Sequence, residues 1–206
     1  MEQESTVSEA VQKAEEIFQQ HQGLLRTSEA LRLGISPATL YRMRDAGHIV
    51  QENRGLYRLA EAEPLGNPDL VQIAKLIPKA VICLISALNF HGLTTQIPNR
   101  VYIALPRSSQ RPRLAYPPLD VIWLPKRAYE AGVEEHFLDE VPVRIYSREK
   151  TIADCFRYEK RVGKDVALEA LKNYLHQGNV NISALMEYAR TDRVVGTLRP
   201  YLEALL

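Results

Sequence analysis

GLLRTSEALRLGISPATLYRMRDAGHIVQENRGLYRL, spanning Gly23 to Leu59, is the stretch whose reading decides the fold. It predicts two short helices around a Gly34-Ile35-Ser36 turn, closed by a compact hairpin, which is the pattern of a winged helix-turn-helix. Thr27 and Ser28 are set to cap a first helix whose Ala30, Leu31 and Leu33 face inward. Gly34 supplies a turn position that tolerates positive φ, and Ile35 enters the core behind it. Ser36-Pro37 reads as an N-cap followed by proline at the first helical position, where a missing N–H costs nothing. The helix from Pro37 to Ala46 carries Leu40 and Met43 on an inward stripe. Its other side shows Ala38, Tyr41, Arg42 and Asp45, with Thr39 and Arg44 on the flanks, and Gly47 ends it. Ile49–Gln51 and Leu56–Leu59 form strands around a tip that contains Arg54, with Tyr57 expected in the core.

Six arginines (Arg26, Arg32, Arg42, Arg44, Arg54, Arg58) stand here against three acids (Glu29, Asp45, Glu52), so the segment is locally basic in a chain of net charge +1. A helix fits the major groove, and a wing tipped by Arg54 reaches a neighbouring phosphate or minor groove. Winged helices also mediate protein contacts. Outward hydroxyls and arginines suit phosphates and base edges better than an apolar partner, so the expected ligand is duplex DNA.

Outward from this segment, Ser8–Gln20 reads as an amphipathic first helix through Val11, Ala14, Ile17 and Phe18. The polar stretch Ala60–Pro68, with two prolines and a glycine, is the best boundary, and it divides the chain into a DNA-binding domain over residues 1–63 and a second domain over 64–206. In the second domain a helix is expected over Asp69–Ile77. A buried helix is expected within the apolar run AVICLISALNFHGL (residues 80–93). Strands follow at Arg100–Leu105, Leu119–Leu124, Gly132–Leu138 and Pro142–Tyr146. Helices begin at Ser147 and cover Val166–Leu175, Ile182–Ala189 and Leu198–Leu205. The predicted fold class is α/β of the α+β kind: a winged helix-turn-helix followed by a mixed domain that ends in helices.

Composition narrows the function classes. A hydrophobic share of 46% and a charged share of 25% are ordinary for a folded protein. No run of about 18 apolar residues is present, and the polar, acidic start is unlike a secretory signal, so no membrane role and a cytoplasmic location are expected. Cys83 and Cys155 are far apart on apolar segments and read as buried free thiols. Residues 1–63 hold seven basic and ten acidic side chains, and residues 64–206 hold nineteen and fifteen. Arg100, Arg107, Arg111 and Arg113 share a stretch without acids, a second candidate for phosphate contact or simply a solvated surface. Phosphate-loop, dinucleotide and nucleophile-elbow motifs are absent. The five histidines are scattered without metal-ligand spacing, and His91 reads as a capping or core residue. No catalytic residue, metal or cofactor is therefore assigned. Thr151 and Asp154, one helical turn apart, read plainly as surface hydrogen bonding or helix N-terminal charge.

The strings GISPATLYRMRDAGHIVQENRGLYRL, PKAVICLISALNFHGL, PNRVYIALPR and VRIYSREKTIADCFRYEKRVGKDVALEAL together resemble the AbiEi-type antitoxins of type IV toxin–antitoxin systems, which act in phage defence. The resemblance implies a winged helix that binds inverted repeats in its own promoter and represses the operon. It also implies an α/β domain needed to counteract a nucleotidyltransferase toxin, without requiring a stable complex. Carried over, the DNA-facing set is Thr27, Ser36, Thr39, Tyr41, Arg42, Arg44 and Arg54. Thr27 and Ser36 are expected on phosphates at helix N-termini, and Thr39 and Arg42 at base edges. The antitoxin surface is expected to comprise Arg144, Arg148, Lys150, Thr151, Asp154, Arg157 and Lys160, which read equally as a solvated helix face. With no heptad pattern nearby, a monomer in solution is expected, pairing on DNA repeats. Two other classes fit the same chain: a ligand-sensing winged-helix factor without a toxin partner, and an enzyme that reverses the toxin's modification.

Overall fold

A computed structural model describes residues 2–62 and 65–206, with side chains described from Glu9 onward. Glu63 and Pro64 of the expected boundary, and the acidic side chains of Glu2 and Glu4, lie outside the described residues. The chain forms two compact units, one of Met1–Pro78 with Phe137–Val141, the other of Lys79–His136 with Pro142–Leu206.

The first unit opens with α1 (Glu2–Gln20), β1 (Leu24–Arg26), α2 (Thr27–Arg32) and α3 (Pro37–Asp45), followed by the hairpin β2 (Ile49–Asn53) and β3 (Leu56–Leu59), and α4 (Pro68–Leu76). Strands β1, β3 and β2 make a three-stranded antiparallel sheet with β3 in the middle. Its core joins Ala14 and Phe18 of α1 to Ala30, Ile35, Leu40, Met43, Ile49 and Tyr57. This is the expected winged helix-turn-helix, with three local corrections. α1 starts at Glu2, six residues before Ser8. The strand β1 completes the sheet. Leu31 and Leu33 do not face the core but are 43% and 40% exposed. The reason for the last is length: a six-residue helix turns one narrow face inward, and Ala30 fills it, with Ile35 entering next after Gly34. A smaller cluster, Leu24, Leu56, Val71 and Val141, packs beneath α4.

The second unit contains β4 (Val81–Ile82), α5 (Leu84–Phe90), β5 (Val101–Pro106), β6 (Leu119–Leu124) and α6 (Lys126–Glu130), then β7 (Val133–Leu138) and β8 (Val141–Tyr146) apart from their Phe137–Val141 junction, which is counted with the first unit. Five helices end the chain: α7 (Arg148–Arg157), α8 (Glu159–Val162), α9 (Lys164–His176), α10 (Ile182–Asp192) and α11 (Val195–Leu205). The sheet order is β6-β5-β4-β8-β7. β4 runs antiparallel to β5 and parallel to β8, while β5 and β6 are parallel, so the sheet is mixed. Asp139 and Glu140, both at positive φ, make the two-residue turn between β7 and β8, the conformation that matches strand twist. The core is built from α5, α7, α9, α10 and α11 against the sheet, with Tyr146 and Tyr174 among its largest fully buried side chains. The mixed α/β class with terminal helices is as expected.

The buried helix expected within the apolar run at residues 80–93 is α5, which begins at Leu84 with φ +46° after the cap Cys83. The sequence reading lacks the central strand Val81–Ile82 before it, as it lacks the short helices α6 and α8. A strand buried on both faces is as uniformly apolar as a buried helix, so periodicity does not distinguish them. Cys83 and Cys155 are buried free thiols, and burial raises both well above the ordinary thiol range. Among the described residues no helix is long and apolar enough to cross a membrane.

Candidate nucleic-acid interface

Local chemistry fixes α3 in place. Ser36 Oγ accepts the Thr39 N–H at 3.1 Å, Leu40 N–H donates to Ser36 O, and Pro37 has no N–H to satisfy. Gly34 at φ +92° and Gly47 at φ +80° make the turns on either side. Leu40 and Met43 anchor the inner face. The outer face then carries Tyr41, Arg42, Arg44 and Asp45, all exposed. Arg44 lies 5.1 Å from the Tyr41 ring centroid and pairs with Asp45 at 2.7 Å. Arg42 forms no ion pair among the described residues.

The hairpin is tied down at both sides of its tip. Thr27 N–H donates to Gly55 O at 2.9 Å, Arg54 N–H donates to Asn53 Oδ1 at 2.7 Å, and Asn53 Nδ2 donates to Gln72 Oε1 of α4 at 3.3 Å. Arg54 itself is exposed at the tip. Arg58, by contrast, is structural: it pairs with Glu52 at 2.6 Å and donates to the carbonyls of Leu59 and Ala62. Arg32 reaches back to Ser28 O.

Two members of the expected DNA-facing set therefore sit differently from the sequence reading. Thr39 is buried, and its hydroxyl is 2.9 Å from Ser36 Oγ, so it does not stand at the groove-facing surface. Thr27 is the first residue of α2 rather than its cap, and its N–H is already satisfied by Gly55. Glu29 caps that helix instead, accepting the Arg26 N–H at 3.0 Å. Ser36, Tyr41, Arg42, Arg44 and Arg54 are exposed, four of them on α3 or at its cap and one on the wing.

In the second unit the expected antitoxin residues divide. Lys150, Thr151 and Asp154 are fully buried, which overturns their expected place on a surface or a solvated helix face. Lys150 Nζ donates to Asp154 Oδ1 at 2.6 Å and to Asp192 Oδ2 at 3.0 Å, and Thr151 Oγ1 donates to Tyr146 O. The physical reason is α10, which packs along α7 and brings Asp192 to the ammonium. Burial and the nearby Asp192 push the Asp154 carboxyl up to about 7, although Lys150 works the other way. The second Asp154 oxygen is buried without a hydrogen bond.

The other four members differ among themselves. Arg157 lies at the rim of the cluster, one-third exposed and 3.2 Å from Asp192. Arg144 donates to the Tyr129 hydroxyl at 2.7 Å, Arg148 donates to Asn179 O at 3.0 Å, and Lys160 is exposed. Asp192 was missed from sequence; the only local signal was the i, i+4 spacing of Lys150 and Asp154 amid apolar Ile152, Ala153, Cys155 and Phe156. His91 follows α5 as its cap, with Nε2 2.7 Å from Tyr146 O, and burial lowers its pKa.

Residues 12–60 match the family described as "Transcriptional regulator, AbiEi antitoxin". The resemblance to AbiEi-type antitoxins is thus borne out across the winged helix. No curated protein sequence matches the chain. Among solved structures, the crystal structure of the RV2827C protein from Mycobacterium tuberculosis has a similar fold, with a TM-score of 0.56 at 16% identity. The match covers 80% of this chain and spans 65% of that one. At this identity the likeness concerns the fold alone.

Proposed function

We propose that this protein is a DNA-binding transcriptional repressor and antitoxin of a type IV toxin–antitoxin system. It binds inverted repeats in its own promoter through residues 1–63, and it counteracts a nucleotidyltransferase toxin through residues 64–206, acting in the cytoplasm without catalysis and without requiring a stable complex with the toxin. The observation that carries this reading is the outer face of α3. A capped, proline-started helix presents Arg42, Arg44 and Tyr41 to solvent beside a tethered wing tipped by Arg54, within the segment that matches the AbiEi antitoxin regulators. A helix of that kind enters a major groove while the wing meets the adjacent backbone.

Ser36, Tyr41, Arg42, Arg44 and Arg54 are the proposed DNA contacts. Thr39 supports them from inside the module, and Thr27, half-buried at the start of α2, holds the wing through its N–H to Gly55 O. Arg144, Arg148, Arg157 and Lys160 form the candidate antitoxin surface, with Lys150, Thr151 and Asp154 setting the geometry beneath it. The test has two arms: titration of the full chain against the duplex upstream of its own gene, and co-expression with a toxin of the nucleotidyltransferase class encoded beside that gene. Saturable binding that prefers that duplex to random DNA, together with rescue of growth, is the expected result. Equal affinity for both duplexes would overturn the repressor role, and undiminished toxicity would overturn the antitoxin role.

A further inference from the structure

Three side chains on the outer face of α3, Tyr41, Arg44 and Asp45, form one group. Arg44 donates from Nε and from Nη2 to the same oxygen of Asp45, Oδ1, at 2.8 and 2.7 Å. Its guanidinium carbon lies 5.1 Å from the Tyr41 ring centroid. Tyr41 and Arg44 are three residues apart, which places them on one helix face. The arginine is thus held at its side by a carboxylate and backed by a ring. Arg42, two positions before it, has no such support.

The arrangement selects which guanidinium edge remains usable. Arginine has five donors in one plane. Asp45 occupies the side edge made by Nε and Nη2, which leaves the end-on fork of Nη1 and Nη2 pointing away from the carboxylate. That fork matches guanine O6 and N7. The same carboxylate disfavours a phosphate at that fork more than a guanine, because the phosphate carries a full negative charge and the guanine edge does not. An exposed ion pair contributes little to stability, so replacing Asp45 leaves the helix in place and reports on Arg44.

We infer that Asp45 is a positioning residue that makes Arg44 a second base-reading contact beside Arg42, committing its end-on fork to a guanine in the major groove instead of to the phosphate backbone. This rests on the DNA-binding reading above. It goes beyond it by assigning an acidic residue, which should weaken binding to any polyanion, a part in sequence discrimination.

The experiment begins by enriching a duplex with the full chain from a random-sequence pool. Dissociation constants for that duplex and for a random duplex are then measured across a salt series for the wild type, Asp45→Ala, Asp45→Asn and Arg44→Lys. Removing the Asp45 charge is expected to tighten random-duplex binding while the ratio of specific to random affinity falls about tenfold. Arg44→Lys keeps the charge but lacks the fork, and it is expected to lose a similar ratio with an unchanged salt slope. The motif enriched by Asp45→Ala is expected to lose one guanine. If Asp45→Ala and Asp45→Asn shift both duplexes by the same factor, Asp45 is only a surface charge and the inference fails while DNA binding stands. A wild-type chain that enriches no sequence overturns both.

Discussion

Arg42 and Lys150 are both basic residues on amphipathic helices, and their surroundings give them opposite work. Arg42 projects from α3 without an ion pair among the described residues, so its full donor set faces solvent. Arg42→Ala is expected to weaken binding to the cognate duplex by about 1–3 kcal/mol and to relax preference at one base pair. Equal losses on cognate and random duplexes, titrated at one salt concentration, would reduce Arg42 to a phosphate contact. Lys150 is buried with two carboxylates, Asp154 and Asp192, and only the rim residue Arg157 adds a second cation. Burial alone would lower the Lys150 pKa, but the two carboxylates outweigh it and raise it. Asp192 also meets Arg157, whereas the one cation paired with Asp154 among the described residues is Lys150, and burial pushes Asp154 from 3.8 to about 7. The folded chain therefore binds a proton that the unfolded chain has already released. Stability from Asp154 is fully present below pH 3.8 and is lost as pH rises through about 7. Replacing Asp154 by asparagine removes this dependence. Its stability relative to wild type is expected to climb between pH 4 and pH 8, with a slope of at most about 1.4 kcal/mol per pH unit, in urea denaturation. Parallel stability curves for the two proteins across that range would refute the proton assignment.

At the scale of elements, single residues fix helix starts and strand junctions. Ser36 caps α3 through the Thr39 N–H, and its loss would also strip the buried Thr39 hydroxyl of its partner. Ser36→Ala is expected to cost about 1 kcal/mol, within the range of roughly 0.5–2, in equilibrium unfolding, and Ser36→Asp to recover most of it. No change on Ser36→Ala would mean that the cap is not limiting. Gly132 governs the entry into β7: its φ is +68°, its carbonyl accepts the Ser147 N–H, and an added Cβ would lie 2.7 Å from Lys150 Cβ. Gly132→Ala combines backbone strain with overpacking against the buried lysine, and a loss of about 2–4 kcal/mol is expected by urea denaturation. A loss no larger than that of a surface substitution would show that α7 yields without cost. These two sites also mark how far the sequence could be read. The Ser36-Pro37 start, the glycines at 34 and 47, and the Leu40/Met43 stripe are signals within one helix, and they located the turn and the outward arginines. Gly132 owes its constraint to Lys150, and Lys150 owes its burial to Asp192 on a helix 42 residues further on. No local pattern encodes such a meeting, so the charged face of α7 read as solvated. The strand Val81–Ile82 escaped for a related reason, since its identity depends on its neighbours β5 and β8 rather than on its own two residues.

For the molecule as a whole, the proposed contacts fall in separate compact units. Arg42 and Arg54 belong to the unit of Met1–Pro78, whereas Arg144, Arg148, Arg157 and Lys160 belong to that of Pro142–Leu206. If repression is phosphate and base-edge binding by the first unit, removing Arg54 should act chiefly through electrostatics and removing Arg42 chiefly through base preference. Log affinity falls with log salt by about 0.9 for each phosphate neutralised on duplex DNA. The double variant Arg42→Ala/Arg54→Ala is therefore expected to bind the promoter more weakly, with a shallower salt slope, and to derepress a reporter driven by it. Both side chains are exposed and form no ion pair among the described residues, so unfolding curves should hardly move. Rescue from the toxin, measured with the variant expressed from an unrelated promoter at matched protein levels, should persist, because the second unit is unchanged. The reciprocal variant, Arg148→Ala/Lys160→Ala, should bind the promoter normally while rescue declines. Loss of rescue in the first variant at wild-type abundance would mean that neutralisation itself runs through nucleic-acid binding by the winged helix, and that the division of labour between the two units is wrong.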